Sequence, residues 1–129
     1  MDRVNAGGPS EAVLKFVDQH VESIEHLEIL LLLSESERDW GASEIFQLIQ
    51  SSPASIEQRL ASLRNAGLLT ESSPGRFQFS PANDETRQVV KDLAEAYRER
   101  RVRIIEAIYS RKTDAVQTFA DAFRFKRKE

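Results

Sequence analysis

The chain of 129 residues is long enough for one domain with its own core and too short for two of ordinary size. With 40% hydrophobic and 30% charged residues it is not a disordered sequence, and the absence of cysteine excludes disulfides and thiolate metal sites. The longest apolar run, Ile29–Leu33, falls far short of the roughly 20 residues that a membrane-spanning helix requires.

The opening MDRVNAGGPS lacks the apolar stretch of a secretory signal, so the expected location is cytoplasmic, with no membrane partner. The net charge of −3 hides an asymmetry. Residues 1–80 carry six basic and twelve acidic side chains, residues 81–129 twelve and nine.

In chain order, Met1 to Pro9 has no periodicity and is expected to be a loose tail. Ser10 suits the cap of a helix in which Val13, Phe16, Val17, His20 and Ile24 share one stripe, which places His20 in the core. Ser23 can cap a second helix through Leu27, Leu30 and Leu31 to Ser34, although the unbroken stripe also allows one bent helix. Ile29–Leu33 is apolar on nearly every side, so this helix belongs at the centre of the core.

After a polar loop, Gly41 with Glu44 three residues on marks the start of a short helix through Ile45, Phe46, Leu48 and Ile49. Ser52-Pro53 opens the next helix, with Ile56, Leu60 and Leu63 buried, and Gly67 closes it. Leu68–Glu71 and Arg76–Ser80 then predict two strands around Ser72–Gly75. Asp84–Tyr109 predicts one long helix with a stripe of Val90, Leu93, Tyr97, Arg101, Ile104 and Ile108. Its dense arginines sit at helical-neighbour spacing from Glu95, Glu99 and Glu106, the pattern of a salt-bridged surface. A final helix over Asp114–Phe125, with Phe119 and Phe123 on one face, ends in Lys126-Arg127-Lys128.

Helix, short helix, turn, helix, Gly-Leu-Leu and hairpin, carried by Trp40, Ile45, Leu48, Ile49, Ile56, Leu60, Leu63, Gly67, Leu68, Leu69 and Phe77, resemble the winged helix-turn-helix superfamily. With helices on both sides, the layout is similar to the multiple-antibiotic-resistance regulator (MarR) type of bacterial transcriptional regulator. The resemblance implies a mainly α fold with a small β-hairpin wing. It also implies residues 10–81 as the core unit and residues 82–129 as helices for dimerisation or partner docking, all in one compact domain. Functionally it implies a homodimeric, DNA-binding transcription regulator, with a recognition helix at about 53–66 and a wing at about 68–80.

Placing Ile56, Leu60 and Leu63 inward presents Ala54, Gln58, Ala61, Ser62 and Asn65 outward. Gln58 carries the chemistry to read adenine, while Ser52, Ser55 and Ser62 can reach base or phosphate. Arg59, Arg64 and Arg76 are the candidates for phosphate. Against DNA stand Glu57 and the acidic first half, because phosphate neutralisation supplies most DNA affinity. Arg124–Lys128 are basic enough to supply the missing charge. The small, uncharged outer face also suits a protein partner, and the alternative is an interaction module or adaptor in transcription control that does not read DNA. His20 and His26 lie on different turns with no Cys beside them, and there is no Gly-rich phosphate loop and no Gly-x-Ser-x-Gly. The expectation is therefore no enzyme, no metal and no cofactor, and no residue identifies an effector.

Overall fold

The computed structural model describes residues 9–110. The expected final helix Asp114–Phe125 and the basic run Lys126–Lys128 lie outside the described residues, as does nearly all of the expected tail. Two helices come first, α1 (Glu11–His20) and α2 (Ile24–Ser34), each opened by a serine. Ser10 Oγ accepts the Val13 N–H at 3.2 Å, and Ser23 Oγ accepts the His26 N–H at 3.1 Å. The two separate caps settle the choice between two helices and one bent one in favour of two.

Then follow a short strand β1 (Trp40–Gly41), α3 (Ala42–Leu48), α4 (Pro53–Asn65), the hairpin β2 (Leu69–Ser73) and β3 (Arg76–Phe79), and α5 (Asp84–Glu99). Residues 101–110 form a further helix, α6. The molecule is mainly helical with one three-stranded antiparallel sheet, ordered β1-β3-β2. Among the described residues no helix is long and apolar enough to cross a membrane.

The core is built around α2. His26, Leu27, Ile29, Leu30, Leu31 and Leu33 are all buried, so this helix has almost no solvent face, as its all-round apolar sequence requires. Val13, Phe16 and Val17 of α1 join the same apolar cluster, as do Ile56, Leu60 and Leu63 of α4 and Val90, Leu93 and Tyr97 of α5. At the end of α4, Gly67 takes φ +82, while the Leu68 N–H returns to the Leu63 carbonyl at 3.0 Å. This left-handed closure reverses the chain into β2.

The structure differs from the sequence expectation in five places. His26, not His20, is the buried histidine; His20 is half-buried beside Phe16, their ring centroids 4.8 Å apart. A third strand forms at Trp40–Gly41, where Trp40 pairs with Phe77 and Gly41 with Arg76. Two residues are too few to leave a periodic signal. The hairpin reaches Ser73 with a register shift between Glu71 and Ser73, so β2 is longer than its apolar pattern. On α3 only Ile45 is buried, while Phe46 and Leu48 stay exposed.

The long C-terminal helix is the fifth difference, because it breaks at Arg100, whose φ −134 and ψ 56 are not helical. A straight helix would have held Arg101 on the buried stripe between Tyr97 and Ile104. The break keeps Ile104 and Ile108 in the core and leaves Arg101 exposed, its guanidinium 4.7 Å from the Tyr97 ring centroid.

Leu30→Ala should remove about 2–5 kcal/mol of stability, since the side chain has no exposed surface. Gly67→Ala should cost about 1 kcal/mol through its positive φ, although nothing lies within 4 Å of the added methyl. Urea unfolding with an unchanged slope checks both; a loss below 1 kcal/mol for Leu30→Ala would contradict the central place of α2.

Candidate interaction face

The outer face of α4 and the neighbouring hairpin hold the sequence-predicted residues. Ser52 caps α4 by accepting the Ser55 N–H at 3.1 Å, and Pro53 stands at its first turn. Gln58 is exposed together with Ala54, Glu57, Ala61 and Asn65, whereas Ser62, Ser55 and Arg59 are half-buried. Arg64 is exposed near the end of the helix, and Arg76 opens β3. One surface thus carries α4 and the hairpin together.

Arg59 and Arg76 are held by carboxylates at hydrogen-bond distance, and Arg64 faces one at 3.9 Å. Arg59 Nη1 donates to Glu22 Oε1 at 3.1 Å and its Nε to Glu25 Oε1 at 3.2 Å. Glu25 also accepts hydrogen bonds from Ser55 Oγ at 2.8 Å and from Ser51 Oγ. Burial on its own would push the Glu25 carboxyl up; the hydroxyls of Ser51 and Ser55 and the Arg59 guanidinium outweigh it and hold the group below its ordinary value. Arg64 lies 3.9 Å from Glu71 across the α4–β2 corner.

Arg76 Nη2 reaches Asp39 Oδ1 and Glu44 Oε1, both at 3.0 Å, and its Nε reaches Asp39 at 3.1 Å. Hydrogen bonds from Arg76 and then Ser72 hold the Asp39 carboxyl down. The Gly41 N–H, 3.0 Å from Oε1, does the same for Glu44. Arg76 is correspondingly held above its ordinary value, first by Asp39. A methyl on Gly41 would meet Arg76 Nη1 at 3.2 Å, so a side chain there would press the guanidinium to shift. Beside the clamp, Arg38 stacks 3.7 Å over the Trp40 ring.

The structure therefore brings Ser55 and Arg59 into one network with Glu22, Glu25 and Ser51, and places Arg76 in a second with Asp39 and Glu44. Gln58 and Ser62 belong to neither. Glu22, Glu25 and Asp39 are the residues the sequence reading missed, while Glu44 was read only as a helix-start signal. Their only signal was the acidic excess of residues 1–80. On the long C-terminal helix, Arg98 faces Glu35, the residue after α2, at 3.9 Å.

His26 lies under this face. Its Nδ1 accepts the Glu22 N–H at 3.1 Å, so the neutral ring carries its proton on Nε2, which is buried with no partner among the described residues. Burial, helped by the Arg59 charge and opposed by Glu22 and Glu25, lowers its pKa to about 4 from 6.5. The unfolded chain binds this proton from about pH 6.5 downward and the folded chain only near 4. Stability should therefore fall as pH drops through that window, by about 2 kcal/mol between pH 7 and pH 5. Urea midpoints across that range check this. The His26→Gln variant should lose the slope, and a flat wild-type profile would contradict the neutral buried ring.

No family model, no curated protein and no solved structure matches the chain, so the functional reading rests on this geometry.

Proposed function

We propose that this chain is a protein-interaction module of winged-helix type, which presents the outer face of α4 to another protein and does not read DNA. The supporting observation is the state of its arginines. Arg59, Arg64 and Arg76, the three side chains best placed for phosphate, face Glu22, Glu25, Glu71, Asp39 and Glu44. Five carboxylates against four guanidiniums, counting Arg38 at 3.5 Å from Glu44, leave a face that repels a polyanion, and Glu57 adds a sixth acid on α4 itself.

Turning these arginines toward phosphate requires breaking their pairs and leaving carboxylates beside the DNA backbone. At Glu25 it also leaves a half-buried acid short of a donor. Between Glu57 and Arg64, what remains outward on α4 is Ala54, Gln58, Ala61 and Asn65, which are small or neutral and can pack against protein at little desolvation cost.

The test is DNA retardation by the full-length protein over a salt series, using a pool of genomic duplexes. No shift is expected at low salt for the wild type. The double variant Glu22→Gln/Glu25→Gln, which frees Arg59, should gain weak, salt-sensitive binding with a slope steeper by about one counterion. A photo-crosslinking residue at position 58 should trap protein in living cells and leave DNA unlabelled. Wild-type binding with a steep salt slope that Arg59→Ala, Arg64→Ala or Arg76→Ala each flatten would replace this reading with the base-reading one.

A further inference from the structure

A second surface uses no residue of α4. It is an open cleft of about 370 Å³ between the C-terminal end of α2, the end of β3 and one side of α5. Its floor is apolar, with Phe79 half-buried and Val90 and Ala94 buried. Along it α5 carries Arg87, Lys91 and Arg98, all three exposed. Spacings of four and seven residues set these cations in one row about 16 Å long on a single side of the helix.

This row differs from Arg59 and Arg76. Among the described residues, Arg87 and Lys91 meet no carboxylate within ion-pair distance. The Arg87 guanidinium lies instead 5.6 Å from the Phe79 ring centroid. Arg98 reaches Glu35, just after α2, only at 3.9 Å, with both side chains more than half exposed. Glu35 and Glu95 are the two carboxylates of the lining, so the cleft stays positive in a chain whose net charge is −3.

We propose that this cleft binds an acidic peptide segment of another protein. A carboxylate of the segment sits between Arg87 and Lys91, and a neighbouring apolar side chain packs on Phe79, Val90 and Ala94. Charge complementarity selects this occupant, because a carboxylate there gains two cations that no acid of the described chain occupies. A nucleic acid fits less well. Its unbroken row of phosphates would have to pass Glu35 and Glu95, whereas a peptide places its charges singly. Residues 111–129 of the chain itself carry six basic and three acidic side chains, the wrong balance for a positive cleft.

Fluorescence anisotropy of the full-length protein tests the proposal, with a fluorescein-labelled peptide of Asp and Glu residues around one central leucine. At about 0.1 M salt, saturable binding with a dissociation constant below about 1 millimolar is expected. The same peptide with Asn and Gln in place of its acids should bind about tenfold more weakly, and Arg87→Glu/Lys91→Glu should cost about tenfold as well. Glu35→Gln should tighten binding about threefold by releasing Arg98, a gain that misfolding cannot imitate. Lys15→Glu/Arg103→Glu changes the net charge by the same amount outside the cleft and should stay within about twofold of the wild type.

A wild type without saturable binding up to that concentration overturns the proposal. An equal loss in the two double variants, or an amide peptide that binds as well as the acidic one, overturns it too. A single-stranded oligonucleotide that binds more tightly than the peptide, and loses its affinity in Arg87→Glu/Lys91→Glu, would put a nucleic acid in the cleft instead. Arg87, Lys91 and Glu35 lie outside the α4 face, so the peptide result stands apart from that of the DNA experiment.

Discussion

Glu25 sits where the core helix takes hold of the helix that faces outward. It belongs to the first turn of α2, yet its hydrogen bonds come from Ser51, just before α4, and from Ser55 and Arg59 in the first two turns of α4. A half-buried carboxylate must collect donors or lose its charge, and three donors from one short stretch of chain satisfy it. The acid thereby fixes how α4 lies on α2. It also removes Arg59 from the pool of free cations, so one interaction sets both the orientation of the outward face and its electrostatics.

The hairpin is fastened by the same chemistry at its other end. Arg76 gathers Asp39 and Glu44, and through them the strand before α3 and the first turn of α3. Pairs as exposed as these contribute little individually. Their effect lies in geometry. Together with the β1–β3 pairing of Gly41 and Arg76, they hold the two-stranded ribbon against the body, where a ribbon alone would be marginal. For Arg59 and Arg76, restraint and charge pairing come from the same atoms, while Arg64 meets Glu71 only at 3.9 Å.

Much of this was legible in the sequence. Ser10, Ser23, Ser52 and Gly67 all stand at the helix ends they marked, because capping is local and one residue decides it. The inward set Ile56, Leu60 and Leu63 followed from helical spacing alone. Long-range pairing was not legible. Nothing near Arg59 in the chain reveals that Glu22 and Glu25, more than thirty residues earlier, will neutralise it. Nothing in Trp40-Gly41 distinguishes a two-residue strand from a loop. His20 and His26 both lie on apolar stripes, and only the tertiary packing decides which one is buried. The outward residues of α4 were identified correctly as a face, but the character of that face depended on acids contributed by other elements.

The break at Arg100 shows how the same logic extends to the far side of the molecule. A continuous helix over residues 84–109 would keep seven-residue spacing between Tyr97, Ile104 and their neighbours, and would bury Arg101 among them. Burying an unpaired guanidinium costs several kcal/mol, far more than interrupting one turn of helix on the surface. The Arg100 N–H still reaches the Ala96 carbonyl, and the Ile104 N–H returns to the Arg100 carbonyl at 3.2 Å, so the interruption leaves these main-chain groups satisfied. The chain resolves the conflict by bending, which keeps the isoleucines in the core and moves the cation to the rim beside Glu28. On both faces, then, the arginines stand where carboxylates of α2, its flanking residues, the β1–α3 region or β2 can meet them, and the central helix organises much of the surface charge as well as the packing of the core.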